Sequence, residues 1–287
     1  MLDIAIIGGG PAGLSAAING VIRNKKVKIF GNDITTSYLY KAEKIDNYIG
    51  MMGATGQEMM ESFLGHAKEM NVEIENKKVL EIFNMGDFYM LNAENEFIEA
   101  KTVILANGIT KASSVEGEEA FLGRGVSYCA TCDGPLYRGK TVALIGDSAH
   151  AEEDVNYLNE VCEKVYYIPL YKNVGSLGER VEVVSGKPKA VEGEGVVNKL
   201  VLKDGELDVS GVFIIKESIP TTQLLKGLEI DEKAIKVNRF METNMPGVYA
   251  AGDCTGRPYQ VAKAVGEGAT AALQAVSYLH TKDKVSK

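Results

Sequence analysis

Apolar positions along the chain fall into short continuous runs, separated by glycine-rich turns and by stretches of helical spacing. Asp3-Ile4-Ala5-Ile6-Ile7 is one such run, brief and apolar on successive positions, which suits a buried parallel strand. Gly8-Gly9-Gly10-Pro11-Ala12-Gly13 forms a turn, Leu14 to Val21 has the spacing of a small-residue helix, and Val27-Lys28-Ile29-Phe30 predicts the next strand. The layout returns in mid-chain. Thr141-Val142-Ala143-Leu144-Ile145 predicts a strand, Gly146 a turn, Ala151 to Cys162 a helix and Lys164-Val165-Tyr166-Tyr167-Ile168 a further strand. Toward the end, Gly247-Val248-Tyr249-Ala250-Ala251 predicts a strand closing at Gly252-Asp253, with a helix from about Tyr259 to Leu279.

Two βαβ units in one chain change the fold expected from it. The pattern predicts an α/β protein of two Rossmann-like domains, of the three-layer ββα type that binds FAD or NAD(P), the second inserted in the first. The expected division is residues 1–110 and 245–287 against 111–244, with hinges near Gly108 and Met245. A chain of 287 residues is comfortable for two cores of ordinary size.

Composition narrows the function. With 45% hydrophobic and 24% charged residues the chain reads as globular, and no apolar run approaches the ~20 residues that cross a bilayer. Met1-Leu2-Asp3-Ile4 leads straight into a strand without a signal peptide's basic start, so a cytoplasmic location and no membrane partner are expected. A formal net charge of −8 argues against nucleic acid, which needs a concentrated basic surface. Four cysteines are too few for a secreted disulfide scaffold. The histidines are His66, His150 and His280, and no second C-x-x-C accompanies the first, so no metal site is expected.

Two motifs carry chemistry. In Gly8-x-Gly10-x-x-Gly13, the first glycine makes a tight turn, the second lets backbone approach a pyrophosphate, and the third seats the helix on the sheet. A glycine turn without a ligand is the rival reading. The acidic residue that usually binds ribose after the second strand is missing from Phe30-Gly31-Asn32-Asp33, which leaves backbone groups or Asn32 for that task. Cys129-x-x-Cys132-Asp133 is the second motif. Two cysteines at this spacing can close a small disulfide, with metal binding or inert burial as rivals. Asp133 suits a general acid or base that relays the proton of each exchange step, or simply a helix N-cap. Cys162 and Cys254 read as buried thiols.

The chain resembles the low-molecular-weight thioredoxin reductases. The matching segments are Ile7-Gly8-Gly9-Gly10-Pro11-Ala12-Gly13, Asp46-Asn47-Tyr48, Val103-Ile104-Leu105-Ala106-Asn107-Gly108, Gly125-Val126-Ser127-Tyr128-Cys129-Ala130-Thr131-Cys132-Asp133-Gly134 and Gly247-Val248-Tyr249-Ala250-Ala251-Gly252-Asp253, in the family's order over nearly the whole chain. The resemblance implies an FAD in the first domain, its pyrophosphate on the glycine turn, Asn47 on the flavin side and Asp253 on the ribityl chain. It extends the cofactor set to Gly8, Gly10, Pro11, Ala12, Gly13, Gly31, Asn32, Ser37, Val79, Ala106, Asn107, Gly108, Gly252, Tyr259, Gln260 and Val261. It implies that Cys132 faces the flavin, that Cys129 exchanges with thioredoxin, that the second domain swings during turnover, and that the protein is a homodimer.

Departures from the family matter as much. NADPH-dependent members carry G-x-G-x-x-A in the second turn and a His-Arg-Arg cluster after the following strand. Here the turn is Gly146-Asp147-Ser148-Ala149-His150-Ala151, followed by Pro169-Leu170-Tyr171-Lys172, and the inserted domain is trimmed around Ser185 to Gly205. Ser148 obstructs close approach, Asp147 brings a carboxylate, and the bidentate partners of a 2′-phosphate are gone. The resemblance therefore narrows to the ferredoxin-dependent flavin thioredoxin reductases, with ferredoxin as donor and thioredoxin as substrate. An NADPH-dependent reductase, a reductase serving another thiol protein, and an FAD-bound redox sensor are the alternatives. Ferredoxins are acidic, so a basic dock is required, with Arg124, Arg138, Lys140, Lys187 and Lys189 as candidates.

Overall fold

The structure, a computed structural model, describes residues 1–31, 37, 39–94, 96–109, 115–118, 120–215, 224–231 and 234–285. The chain divides into two compact units, Met1–Lys111 with Ser218–Lys287, and Ala112–Glu217.

In the first unit, β1 (Leu2–Ile7) leads through the glycine turn to α1 (Pro11–Val21) and β2 (Val27–Phe30). Then come α2 (Gly56–Glu69), β3 (Glu73–Glu75), β4 (Val79–Asn84), β5 (Tyr89–Ala93) and β6 (Glu96–Leu105). Thr55 opens α2 with a capping box, its hydroxyl accepting from the Glu58 amide while the Glu58 carboxylate accepts from the Thr55 amide.

The second unit holds β7 (Val126–Ser127), α3 (Ala130–Asp133), β8 (Thr141–Gly146), α4 (Ala151–Val161), β9 (Lys164–Pro169) and β10 (Val181–Val183). β11 (Pro188–Glu192), β12 (Lys199–Leu202) and β13 (Gly205–Asp208) form an antiparallel sheet beside it, and β14 (Gly211–Ile215) returns to the parallel one. The parallel order is β10-β9-β8-β14-β7. The chain then returns to the first unit through β15 (Ile230–Asp231), β16 (Ala234–Ile235), β17 (Val248–Ala250) and α5 (Val261–Val285).

The register of the first sheet explains where a ligand can go. Among the described residues its order is β3-β2-β1-β6-β5-β4, with β17 also on β6. β6 does two jobs: its first half pairs antiparallel with β5 and its second half parallel with β1 and β17. Ile7 is level with Phe30 and with Leu105, and Ala250 is level with Leu105. Four parallel strands thus end at one edge. The turns that follow them, at Gly8, Gly31, Ala106 and Ala251, gather there, which is where open α/β sheets bind ligands.

One face of this sheet is covered by α1 and α5. Ala12, Ala16 and Ala17 share a buried cluster with Ala264, Ala271, Ala272 and Ala275. The approach is close enough that a Cβ on Gly268 would stand 2.1 Å from the Ala12 carbonyl oxygen, and the Ser15 hydroxyl donates to the Val265 carbonyl at 2.7 Å.

The sequence reading placed the return to the first domain at Met245; contacts place it at Ser218. Leu224, Leu225 and Ile235 are buried with Leu2, Val79, Leu91 and Val248 in the core of the first unit. Residues 218–244 offer only two-residue strands among those described, so no periodic run announced the crossing. The last helix also runs past the expected Leu279, to Val285. Leu225→Ala should therefore destabilise the first unit by about 2–5 kcal/mol. Hydrogen exchange should accelerate in β4 to β6 and stay unchanged in β8 and β9; the opposite pattern would return residues 218–244 to the second unit.

Candidate active site

The three motif glycines do different work. Gly8 has φ +114, and a Cβ there would lie 2.3 Å from the Ala106 carbonyl oxygen and 3.0 Å from Asn107 Cα. A Cβ on Gly13 would lie 1.9 Å from the Gly8 carbonyl oxygen. Both positions are closed by backbone. Gly10 is open instead: nothing stands within 4 Å of its Cβ position, and φ −76 suits any residue. It N-caps α1 without a side-chain hydrogen bond, Pro11 follows, and the first turn carries no acid. Unfilled space in front of an uncapped, acid-free helix start fits an anionic diphosphate.

Gly31, Ala106, Asn107 and Gly252, among the other expected cofactor residues, border this turn or the start of α1; two of the set are exceptions. A Cβ on Gly31 would meet the Gly9 amide nitrogen at 2.9 Å, and one on Gly252 would meet Ala12 Cβ at 2.9 Å. Ala106 is buried, and Asn107 and Gly108 continue directly from β6. Asn47 Nδ2 donates to Gln260 Oε1 at 2.7 Å, tying the Asn47 loop to the residue just before α5. Tyr259 is exposed beneath the Arg257 guanidinium, 5.7 Å from its ring centre, and Val261 opens α5, whose first turn carries no acid. Burial pushes the Asp253 carboxyl above the usual carboxylate range, with Lys263 opposing and Glu267 reinforcing the shift. The Ser37 hydroxyl accepts from the Tyr40 amide at 3.1 Å. Val79 is the first exception, since its side chain lies in the core with Ala5, Ile7 and Phe30 and leaves only backbone to offer. Asn32 is the second; it lies outside the described residues.

Cys129 and Cys132 form a disulfide across α3. Cys129 is the N-cap, and its sulfur accepts from the Cys132 amide at 3.2 Å with the Thr131 hydroxyl 3.5 Å away. The buried Ser127 hydroxyl accepts from the Cys129 amide at 3.1 Å and donates to its carbonyl at 3.2 Å. These contacts fix Cys129 at the start of α3. Asp133 lies in the first turn of α3 and N-caps the 3₁₀ turn Gly134–Tyr137 without a side-chain capping bond. Burial, with Asp133 adding to it, holds the Tyr137 hydroxyl above its usual range. The sequence missed Glu118: this buried carboxylate accepts from Tyr128 Oη at 2.8 Å and from the Val115 amide at 3.0 Å, anchoring the residue before Cys129. No local pattern signals that link.

The second glycine turn is built otherwise. A Cβ on Gly146 would stand 2.5 Å from Ala151 Cβ and 2.9 Å from the Tyr167 hydroxyl. Glu152, Glu153 and Asp154 occupy the first turn of α4. Glu152 Oε1 accepts from Tyr171 Oη and from the Gly175 amide at 3.0 Å, and Tyr171 and Tyr167 share a hydroxyl contact of 2.8 Å. The Tyr171 bond, then that from Gly175, holds the Glu152 carboxyl below its usual range.

The family model described as pyridine nucleotide-disulphide oxidoreductase matches residues 2–268. The chain belongs to that family. Its members are FAD-binding flavoproteins, and FAD is the cofactor of this flavin disulfide oxidoreductase with its Cys129–Cys132 pair. A thioredoxin reductase of Helicobacter pylori is 33% identical over 97% of this chain and 99% of its own length. An NADH dehydrogenase of Bacillus subtilis is 32% identical over 96% of this chain, which spans only 58% of that protein. The crystal structure of a ferredoxin-flavin thioredoxin reductase from Clostridium acetobutylicum is 49% identical, with 98% of each chain covered and a TM-score of 0.92. Among the described residues, no group of histidine, cysteine and acidic side chains could hold a metal, and no helix is long and apolar enough to cross a membrane.

Two outcomes follow from the site. Gly10→Leu should fold, because its side chain meets open space, yet purify colourless; Gly13→Leu should fail to fold, because its Cβ overlaps backbone. Circular dichroism with the visible spectrum checks both. Burial pushes the thiols of Cys162 and Cys254 up to about 11 and about 12. A raised thiol pKa keeps the neutral form below it, so at pH 8 about one molecule in a thousand or fewer carries either thiolate. Iodoacetamide should therefore label only Cys129 and Cys132 in the reduced native protein, read by mass spectrometry, and all four cysteines in urea.

Proposed function

We propose that this protein reduces thioredoxin with electrons from ferredoxin and uses no pyridine nucleotide. The observation that carries the proposal is a contrast between two helix starts. α1 presents open space, no side-chain cap and no acid, whereas α4 presents Glu152, Glu153 and Asp154 in its first turn. A nucleotide diphosphate docked on α4 would meet the carboxylates that already use that helix's positive end. Glu152 is also tied to Tyr171 and Gly175, so moving it aside breaks two hydrogen bonds. The likeness to the C. acetobutylicum ferredoxin-flavin thioredoxin reductase over nearly the whole of both chains supports the same reading.

FAD bound at the first unit supplies the conversion of electrons received singly into a pair delivered to a disulfide. The chain's own part is thiol exchange. Two electrons and two protons convert the Cys129–Cys132 bond to a dithiol. Cys129, as thiolate, attacks one sulfur of the thioredoxin disulfide and displaces the other as a thiolate. Cys132 then attacks Cys129 Sγ, releasing dithiol thioredoxin and restoring the internal disulfide. Asp133 relays the proton that Cys132 loses in this step. Arg124 and Lys140 face one open groove beside Leu136, four residues beyond Cys132, but Glu163 and Asp208 line it too. That balance of charge does not distinguish it as the ferredoxin dock.

Two measurements test the function. Excess NADPH or NADH, added anaerobically, should leave the flavin oxidised, while reduced ferredoxin should bleach it and generate thioredoxin thiols; rapid bleaching by NADPH without electron flow from ferredoxin would restore an ordinary NADPH-dependent reductase. Cys132→Ser should trap a mixed disulfide between Cys129 and thioredoxin, seen by mass spectrometry. A trap through Cys132 in the Cys129→Ser variant alone would reverse the two roles.

A further inference from the structure

A lysine in the first turn of a helix runs against the helix dipole, and an i,i+4 pair with the lysine first is the weaker order. α5 accepts both. Lys263 stands in its first turn with Glu267 one turn on, 3.0 Å away, and their side chains are only 16% and 18% exposed. Helix stability does not account for such a pair, and its contacts point elsewhere. Lys263 Nζ donates to the Gly252 carbonyl and to Thr255 Oγ1, each at 2.9 Å. Glu267 Oε2 accepts from the Gly252 amide and from Thr255 Oγ1, each at 2.9 Å. The Thr255 hydroxyl also contacts the Gly252 carbonyl at 2.7 Å. Gly252 itself has φ +86, open only to glycine, and abuts Ala12 at the start of α1. One half-buried ion pair therefore grips both polar groups of Gly252, the residue that sets the direction of Asp253.

We propose that Lys263 and Glu267 are a positioning pair for flavin binding: they lock the Gly252 turn so that Asp253 is held where it can receive the ribityl chain of FAD. The inference rests on the reading that Asp253 is the ribityl ligand. The pair also acts on the charge of its target, in opposing directions. Burial disfavours the Asp253 carboxylate, Lys263 favours it and Glu267 opposes it, so the two members act on Asp253 in opposite senses while acting on Gly252 together.

The test compares Lys263→Met, Glu267→Gln and Lys263→Arg with Asp253→Asn in the full-length protein. It reads the FAD dissociation constant by ultrafiltration, the melting temperature of the apoprotein, and the titration of the Asp253 carboxyl carbon by NMR. Lys263→Met and Glu267→Gln should each weaken FAD binding tenfold or more with the apoprotein melt nearly unchanged. Lys263→Arg should recover most of the affinity. The Asp253 titration should move up in Lys263→Met and down in Glu267→Gln. Normal FAD affinity in both charge variants, with affinity lost in Asp253→Asn, would overturn the positioning role and leave the ribityl reading intact. Affinity lost only in step with the apoprotein melt, or Asp253 titrations that do not move, would reduce the pair to a structural one. Normal affinity in Asp253→Asn would remove the ligand reading and this inference with it.

Discussion

The contact between α1 and α5 governs the rest of the first unit. Helices approach to backbone contact only where side chains are absent or minimal, and both partners supply such a surface: Ala12, Ala16 and Ala17 on one, Ala264, Gly268, Ala271 and Ala275 on the other. Because Gly268 lies against the Ala12 carbonyl, the start of α1 is fixed against the end of the chain. The glycine turn before α1 and the Gly252 turn before α5 are consequently neighbours, although they are far apart in sequence. A bulkier residue at Gly268 would part the two helices and with them the two glycine turns.

The two units build the start of a helix after a parallel strand in two different ways. In each, a parallel strand ends at a glycine and a helix begins within a few residues. The two starts differ in backbone as well as in side chains: Gly10 enters α1 extended, with φ −76 and ψ −176, whereas His150 enters α4 already helical, with φ −60 and ψ −28. α1 begins with no side-chain cap and no acid, while α4 answers its own dipole with acids and bridges one of them to Tyr171 and Gly175. Acids at a helix start are favourable to the helix, so the first turn of α4 is stable as it stands.

What could be read from the sequence was local. The apolar runs of β1, β2, β8 and β9, the glycine turns and the Cys129 motif lie within a few residues of one another, so spacing alone carries them. Asp253 and Asn47 needed the family resemblance, because neither stands in a pattern with physical meaning of its own. What could not be read is long-range. Leu224 and Leu225 join the first core only through burial against distant strands, Glu152 meets Tyr171 across 19 positions, and Glu267 reaches Gly252 across 15. Lys263 left one faint trace, a cation where a helix prefers an acid. Val79 was assigned to the cofactor, but its side chain packs in the core.

The closing of α1 upon α5 has a consequence for biogenesis. Ser15 meets Val265 across 250 positions, so during synthesis the first helix emerges long before the surface that will cover it. Residues 112–217 are contiguous and can fold on the ribosome as a unit, while the sheet around β1 and β6 waits for β17 and α5. Throughout that interval the alanine face of α1 and an edge of β6 remain uncovered. The first unit, whose parts lie furthest apart in the chain, therefore closes only after α5 has been made.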